Sequence, residues 1–179
     1  MLSPGSTFAD YEIIEILGSG AMGVVYKALD KRLDRFVALK LVEDKLKDSR
    51  EYQAGLSKEA KLAAKIDSPY VVKVWEHSVF QENQYTAFEF VSGKDLRNAW
   101  SEYNVDRKID VTKQIAEGLL AAHSQGLIHR DLKPENIKVS DEGKPKILDF
   151  GLAKMARSDS VDQSGNIAVS YTHLRAHET

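Results

Sequence analysis

Two polar motifs in the last third of the sequence constrain the fold of this chain more than any other feature. The first reads His129-Arg130-Asp131-Leu132-Lys133-Pro134-Glu135-Asn136, and the second reads Asp149-Phe150-Gly151. Asp131 precedes Asn136 by five residues and Asp149 by eighteen. A hairpin that turns at Asp141-Glu142-Gly143 would bring these three side chains to one centre. Their oxygen atoms are ligands that a hard cation such as Mg²⁺ prefers.

A glycine-rich turn lies between two strand-like segments early in the chain. The segment from Tyr11 to Leu17 is apolar and β-branched, Gly18-Ser19-Gly20-Ala21-Met22-Gly23 follows, and a second β-branched run begins at Val24. Glycines allow a backbone to approach phosphates closely. Dinucleotide-binding folds share this spacing, but they need a helix after the glycines, whereas a strand is expected here. We interpret the turn as a flap over phosphates; an ordinary glycine-rich hairpin is the alternative.

A lysine lies within a strand that the sequence predicts to be buried. Residues 36–42 read Phe-Val-Ala-Leu-Lys-Leu-Val, and a two-residue period puts Ala38 and Lys40 on one face. A buried lysine is costly unless its charge is paired, although at a strand end it can reach solvent. A helix is expected from a capped start at Asp48 to about Ile66, with Glu59 beside its apolar stripe.

Together these motifs resemble the eukaryotic-like Ser/Thr protein kinases, most closely those of bacteria. The resemblance implies an α+β, protein-kinase-like bilobal fold. A complete N-lobe would contain a five-stranded antiparallel sheet and one helix, with further strands at 71–75 and 84–91, and the helical C-lobe would be partial. We expect a flexible lead-in at 1–9, the N-lobe at 10–91, the C-lobe with the start of the activation segment at 92–168, and a non-native tail at 169–179.

The resemblance also implies the cofactors ATP and Mg²⁺ and a role for each motif residue. Asp131 would orient the substrate hydroxyl, Lys133 would counter charge at the γ-phosphoryl, and Lys40 would pair with Glu59. Asn136 and Asp149 would hold the metal. The implied nucleotide-binding residues are Gly18, Ser19, Gly20, Ala21, Met22, Gly23, Val25, Ala38, Lys40, Glu89, Val91, Asn136 and Asp149.

Other positions complete this interpretation. Phe88 would lie behind the adenine pocket, and Lys138 would stand where many kinases have an apolar residue beneath adenine. His129 and Phe150 would pack the two loops, and Arg130 is typical of kinases whose activation loop is ordered by a phosphate. A helix is also predicted, with Gly126 as its C-cap and His123 packed on its buried face. The residues that recur at three- and four-residue spacing on that face are Ile109, Thr112, Ile115, Ala116, Leu119, Leu120 and His123.

The implied activity is transfer of the γ-phosphoryl of ATP to protein hydroxyls, and Lys133 favours Ser/Thr over Tyr kinases. One alternative is a catalytically silent pseudokinase that binds nucleotide or partners; the intact set of candidate catalytic and metal residues argues against it. Another is a small-molecule kinase, such as an antibiotic or choline kinase. The motif at 133–136 and the glycine flap argue against that alternative.

The end of the sequence departs from a kinase. Ser158, Ser160 and Ser164 are candidate phosphorylation sites, or simply serines of a polar loop. Residues 169–179 match one translated frame of a common transposon-type sequencing-library adapter, so we exclude them from functional reasoning. We therefore expect an N-terminal kinase fragment that is cut in the activation segment and has weak stability and little or no activity of its own.

The amino-acid composition limits the partners and the cellular compartment that the sequence predicts. The formal net charge is −2, so no basic field predicts nucleic acid or an anionic membrane as a partner. There is no cysteine for disulfides, and no apolar run reaches membrane-spanning length. We expect a cytoplasmic segment whose partner is a protein substrate, with a membrane anchor after residue 168 left open.

Overall fold

The structure is a computed structural model that describes residues 1–20, 23–42 and 50–150, with side chains from Gln53 onward in the last range. The expected helix cap at Asp48, the activation segment and the tail at 169–179 lie outside these residues, as do Ala21 and Met22. No helix in the described ranges is long and apolar enough to cross a membrane.

The first lobe is a six-stranded antiparallel sheet with one helix. Its strands are β1 (Thr7–Phe8), β2 (Tyr11–Gly20), β3 (Gly23–Asp30), β4 (Arg35–Val42), β5 (Val74–Phe80) and β6 (Asn83–Glu89), in the order β1-β2-β3-β4-β6-β5. Apolar residues alternate along the strands, so one face forms a core that includes Tyr26, Val37 and Leu39. On the other face, Leu56 of helix α1 (Arg50–Ala63) packs with Val42 and Phe88. The expected sheet and helix are confirmed, with one strand more than expected.

The additional strand comes from the segment expected to be a flexible lead-in. Thr7 pairs with Glu12, and the Phe8 ring packs edge-on against Phe80 at 5.2 Å between centroids. The Leu2 amide donates to the Tyr26 hydroxyl at 3.0 Å. The prediction of a loose lead-in is therefore wrong for these residues. A single buried aromatic residue has no periodicity from which a strand could be predicted.

The second lobe contains a small sheet and one long helix. Its elements are β7 (Gly93–Asp95), α2 (Leu96–Ala99), a 3₁₀ turn (Trp100–Glu102), α3 (Val105–Ser124), β8 (Ile137–Ser140) and β9 (Pro145–Ile147). The sheet order is β7-β8-β9. The predicted hairpin between β8 and β9 is confirmed, with Gly143 at φ 82°. Gly126 at φ 74° follows α3 as predicted, because this conformation favours glycine.

Two boundaries differ from the sequence prediction. Helix α1 ends at Ala63 rather than Ile66, because the amide of Lys65 turns to the carbonyl of Leu62, three residues back. The strand expected at 71–75 begins only at Val74. Val71 instead forms a parallel bridge with Ile147 and so joins the two lobes.

The buried face of α3 also differs from the predicted stripe. Ile109 and Leu120 are 49% and 71% exposed, and His123 is exposed rather than packed. The buried residues are Val111, Gly118 and Ala122. A Cβ added at Gly118 would lie 3.0 Å from Ile147 Cδ1. Helix α3 thus approaches β9 so closely that a residue without a side chain is favoured at this position. A search for hydrophobic residues at helical spacing cannot identify a glycine.

Candidate active site

The loop after α3 brings three of the predicted side chains together. Lys133 Nζ lies 2.9 Å from Asp131 Oδ2. Asn136 Nδ2 donates to the Asp131 carbonyl at 2.8 Å and to Asp131 Oδ2 at 3.2 Å. Arg130 has φ 62°, an uncommon conformation for a residue with a side chain. The loop therefore turns sharply at Arg130 and presents Asp131 between an ammonium and an amide.

These contacts keep the Asp131 carboxylate ionised. The hydrogen bond from Lys133 is the largest cause that lowers the pKa of Asp131, and partial burial opposes it. The charge of Lys133 and the hydrogen bond from Asn136 lower the pKa further. A carboxylate with a lowered pKa is a weak base, so at neutral pH Asp131 is suited to orient a hydroxyl and to stabilise charge.

The two motif loops are held together by a buried histidine. His129 is 3% exposed, and its Nε2 lies 2.9 Å from the Leu148 carbonyl oxygen. Its ring centroid is 4.9 Å from that of Phe150. The Leu148 amide also donates to the Asn136 carbonyl at 2.8 Å. His129 and Phe150 thus pack the loops against each other, as the sequence predicts.

The strand lysine contacts the second motif across the lobes. Lys40 Nζ lies 2.9 Å from Asp149 Oδ1, and the lysine side chain is 13% exposed. Lys40 is paired in register with Val25 on β3 and Thr86 on β6. Directly opposed residues share a face of the sheet, so Lys40 and Val25 point to the same side.

The predicted ion pair between Lys40 and Glu59 is not formed in this structure. Among the described side chains, no contact within 4.0 Å joins them, and Lys40 is paired with Asp149 instead. Glu59 lines a narrow cavity with Phe88, Asp149 and Phe150. Burial raises the pKa of Glu59, and the charge of Arg130 opposes this shift. The acid therefore faces the two motif loops, but it does not reach the lysine.

The glycine-rich turn forms the predicted hairpin. Gly18 pairs with Val25 and Gly20 pairs with Gly23. Gly23 has φ 134°, which favours glycine. A Cβ added at Gly18 or Gly20 would have no heavy atom within 4 Å, so the backbone there borders open space.

The segment predicted to contact adenine is fixed by a pair that the sequence does not reveal. Glu89, at the end of β6, lies 2.7 Å from Lys146 Nζ on β9 and accepts a hydrogen bond from the Lys73 amide at 3.2 Å. The next residues include the buried Val91. No short motif contains Glu89 and Lys146, because they are 57 positions apart.

The oxygen ligands fit a magnesium site in composition. Asn136 uses its nitrogen toward Asp131, which leaves its side-chain carbonyl oxygen as a potential ligand, and Asp149 offers a carboxylate. The described residues contain no group of three or more His, Cys, Asp or Glu side chains that could hold a metal. Two protein oxygens suit Mg²⁺, which keeps several waters and is usually shared with substrate phosphates.

Known proteins are similar to this chain over most of its length. The family model described as "Protein kinase domain" matches residues 11–173. Serine/threonine-protein kinase PknD of Mycobacterium tuberculosis is 33% identical over 173 residues, covering 95% of this chain and 26% of that protein. The probable serine/threonine-protein kinase PknB of Lactococcus lactis is 35% identical, covering 97% of this chain and 28% of that protein.

A solved structure that is similar to this chain is also a protein kinase domain. The crystal structure of the M. tuberculosis PknI kinase domain has a TM-score of 0.75 and 27% identity, and the match covers 86% of this chain and 63% of that one. The chain spans about a quarter of the length of the curated relatives it matches.

Proposed function

The chain belongs to the protein kinase family, and on that premise we propose that the longer protein represented by this segment binds ATP with Mg²⁺ and transfers the γ-phosphoryl group to a Ser or Thr hydroxyl of a protein. Its relatives are named Ser/Thr protein kinases, enzymes that are transferases. We also place this segment in the cytoplasm, where ATP is available.

The observation that carries this proposal is the convergence of the two motif loops with the strand lysine. Lys133 and Asn136 both lie within hydrogen-bond distance of Asp131, and Asp149 is 2.9 Å from Lys40. Phosphoryl transfer depends on positioning and on stabilising charge, which requires cations and metal ligands at one point. The arrangement supplies both.

Each residue has a proposed role. Asp131 orients the substrate hydroxyl and receives its proton, while Lys133 offsets charge on the transferred group. Asn136 and Asp149 would hold Mg²⁺, which neutralises phosphate charge when bound. Lys40 would contact phosphate oxygens after it leaves Asp149.

We place the boundary between the lobes near residues 91 and 92. The first sheet ends with β6 at Glu89, and the second sheet begins with β7 at Gly93. The intervening segment crosses between the lobes, and the Glu89–Lys146 pair anchors one end of it. We propose that this segment lies along the adenine ring.

The proposal is tested by phosphoryl transfer from γ-labelled ATP with Mg²⁺ to a mixed Ser/Thr protein substrate. Every variant in a transfer measurement is made in the longer parent protein, because the 179-residue segment itself is expected to have little or no activity. The Asp131→Asn variant keeps the size of the side chain but removes its charge and its ability to accept the proton. We expect transfer to fall by about 10²- to 10⁴-fold. Because Asp131 is not a proposed metal ligand, ATP binding should persist.

The matched control is Asp67→Asn, which makes the same change at an exposed position after α1. We expect it to retain the parent rate of transfer. Equal transfer rates for Asp131→Asn and the parent chain would contradict the proposed role of Asp131. Transfer to a small molecule in place of the protein would favour the small-molecule kinase alternative.

A further inference from the structure

A lysine cation lies between two aromatic rings where β4 begins and β6 ends. Lys27 Nζ on β3 is 4.8 Å from the centroid of the Phe36 ring and 4.9 Å from that of the Phe90 ring. The two rings are arranged edge to face, with 6.3 Å between their centroids. A cation is attracted to the negative face of an aromatic ring, and more strongly where water is partly excluded. The Lys27 side chain is 23% exposed, so these contacts form partly out of water.

The strand register explains why these three side chains meet. Lys27 lies opposite Ala38 in the ladder between β3 and β4, and Phe36 is two residues before Ala38 on the same face. The ladder between β4 and β6 ends at Glu89, and one further step of the register puts Phe90 opposite Phe36. The cluster therefore joins β3 and β4 to the segment that leaves the first sheet.

Phe90 is the first residue of the segment proposed above to lie along the adenine ring. The preceding residue, Glu89, is bound to Lys146 of the second lobe at 2.7 Å. At the other end, Ser92 Oγ donates to Asp141 Oδ2 at 2.5 Å, in the hairpin between β8 and β9. These two contacts attach the segment to the second lobe, whereas the Phe90 ring attaches it to side chains of the first sheet.

The cluster lies at the adenine end of the proposed nucleotide site. Lys27 is two residues after Val25 and therefore on the same face of the sheet, and Val25 is opposite Lys40. Along β3, the glycine-rich turn ends at Gly23, on the other side of Val25 from Lys27. The proposed phosphate contacts are the turn and Lys40, so Lys27 is displaced from them along the strand.

An ion pair does not account for this arrangement. Glu15 lies opposite Lys27 on β2, and its Oε1 is 3.6 Å from Lys27 Nζ. Glu15 is mostly exposed, and such a pair contributes little to stability. Lys31, just after β3, forms a similar pair with Glu12 at 3.3 Å. Within the described residues, the two ring contacts are what set Lys27 apart from Lys31.

We propose that Lys27 is a positioning residue for the nucleotide. Its ammonium holds the Phe90 ring beside Phe36 and so fixes the start of the backbone segment that would receive adenine. A segment that is already ordered costs less to bind, because less conformational freedom is lost. The effect on ATP rests on the proposed function, whereas the contact between Lys27 and Phe90 does not.

Calorimetric titration of the full 179-residue chain with ATP and Mg²⁺ tests the effect on the nucleotide. Lys27→Gln removes the cation, and ATP affinity should fall about 3- to 10-fold, the range expected for one partly desolvated cation–π contact. Lys27→Arg should stay within about twofold of the parent, because a guanidinium also stacks on aromatic faces. The matched control Lys31→Gln removes the same charge from the similar ion pair and should bind ATP like the parent.

Inorganic tripolyphosphate with Mg²⁺ separates the positioning of adenine from a general effect of charge. It carries the phosphates of ATP without the base, so its affinity should be equal in the parent and in Lys27→Gln. Equal losses of ATP and tripolyphosphate affinity would overturn the proposal, because the lysine would then act on the phosphates or on the whole fold. Full ATP affinity in Lys27→Gln, or the same loss in Lys31→Gln, would also overturn it.

Urea unfolding without nucleotide tests the contact between Lys27 and Phe90 independently of the proposed function. The loss of unfolding free energy caused by Lys27→Gln should be roughly halved in a Phe90→Leu background, because one of the two rings is already absent. An equal loss in both backgrounds would show that the two side chains are not coupled and would overturn the proposal. A parent chain that binds no ATP would instead contradict the proposed function and, with it, the role of Lys27 in nucleotide binding.

Discussion

Asp131 is controlled by the lysine two positions away, and this control is the main residue-scale feature of the candidate active site. The 2.9 Å contact with Lys133 keeps the pKa of Asp131 below its ordinary value. Both side chains are substantially exposed, at 42% and 49%, so the contact contributes little to folding stability. We infer that the pair serves the chemistry of the site rather than the fold.

Replacing Lys133 tests this inference through the pH dependence of transfer. With Lys133 present, Asp131 stays ionised at all pH values above its lowered pKa. In Lys133→Met the largest cause of that shift is gone, so the pKa of Asp131 should rise toward its ordinary value and the acidic limb of the rate profile should move to higher pH. We also expect a lower transfer rate at neutral pH, because the cation facing the γ-phosphoryl is lost.

The control for this measurement is Lys144→Met in the exposed hairpin between β8 and β9. Its rate profile should match that of the parent chain. A Lys133→Met variant with an unshifted acidic limb would show that Lys133 does not set the ionisation of Asp131.

At the scale of elements, one acid ties three parts of the first sheet together. Glu76 on β5 accepts hydrogen bonds from Tyr11 of β2 at 2.6 Å and from Tyr85 of β6 at 2.8 Å. Arg32, after β3, lies 2.8 Å from the same carboxylate. Burial alone would raise the pKa of Glu76, but the hydrogen bonds from Tyr11, Tyr85 and Arg32 outweigh it and lower the pKa.

Glu76→Gln should therefore destabilise the chain in a pH-dependent way. A lowered folded-state pKa contributes stability above the ordinary Glu value of about 4.3, and this stability is lost as pH falls through the folded pKa. We expect the free energy of unfolding to drop by about 1–3 kcal/mol at neutral pH and to be less sensitive to acid. Urea unfolding at several pH values measures both effects.

The exposed acid Glu142, in the hairpin turn, provides the matching control. Glu142→Gln should leave the free energy of unfolding nearly unchanged, because its contact with Lys144 is 3.6 Å long and exposed. If Glu76→Gln behaves in the same way, the hydrogen bonds to Glu76 do not stabilise the sheet.

Some elements could be predicted from local sequence and others could not. The glycine-rich hairpin between β2 and β3, the hairpin between β8 and β9 and the cap at Gly126 follow from glycine conformations, which few other residues adopt. The buried face of α3 was predicted only in part. Ile115 and Leu119 pack against the core as predicted, whereas Gly118 and Ala122 are buried although they carry little hydrophobic signal. β1 was missed because it contains two residues and one buried ring.

Across the whole molecule, local motifs determine the contacts within a loop but not those between lobes. The grouping of Asp131, Lys133 and Asn136 follows from their spacing. The partner of Lys40 depends on how α1 and the second lobe pack against the sheet, and the observed partner is 109 positions away. The sequence predicted Glu59 as the partner of Lys40, and the packing pairs Lys40 with Asp149 instead.

The contact between Lys40 and Asp149 has a consequence for nucleotide binding. Lys40, proposed to bind phosphates, and Asp149, proposed to bind Mg²⁺, form an ion pair with each other across the cleft. Mg²⁺ and ATP together can replace this pair, because each supplies a partner of opposite charge. We therefore expect the two ligands to assist each other in binding.

The most direct test is calorimetric titration of the chain with ATP, with and without Mg²⁺, in the parent, Asp149→Asn and Asp67→Asn. We expect Mg²⁺ to strengthen ATP binding in the parent and in the exposed control. In Asp149→Asn this gain should shrink by about tenfold or more, the usual order for loss of a metal contact. Comparing each variant with and without Mg²⁺ removes the separate effect of breaking the Lys40 pair. Equal ATP affinity of the parent chain with and without Mg²⁺ would contradict a magnesium-dependent nucleotide site at these loops. The same conclusion would follow if Mg²⁺ strengthened ATP binding by Asp149→Asn as much as it does in the parent.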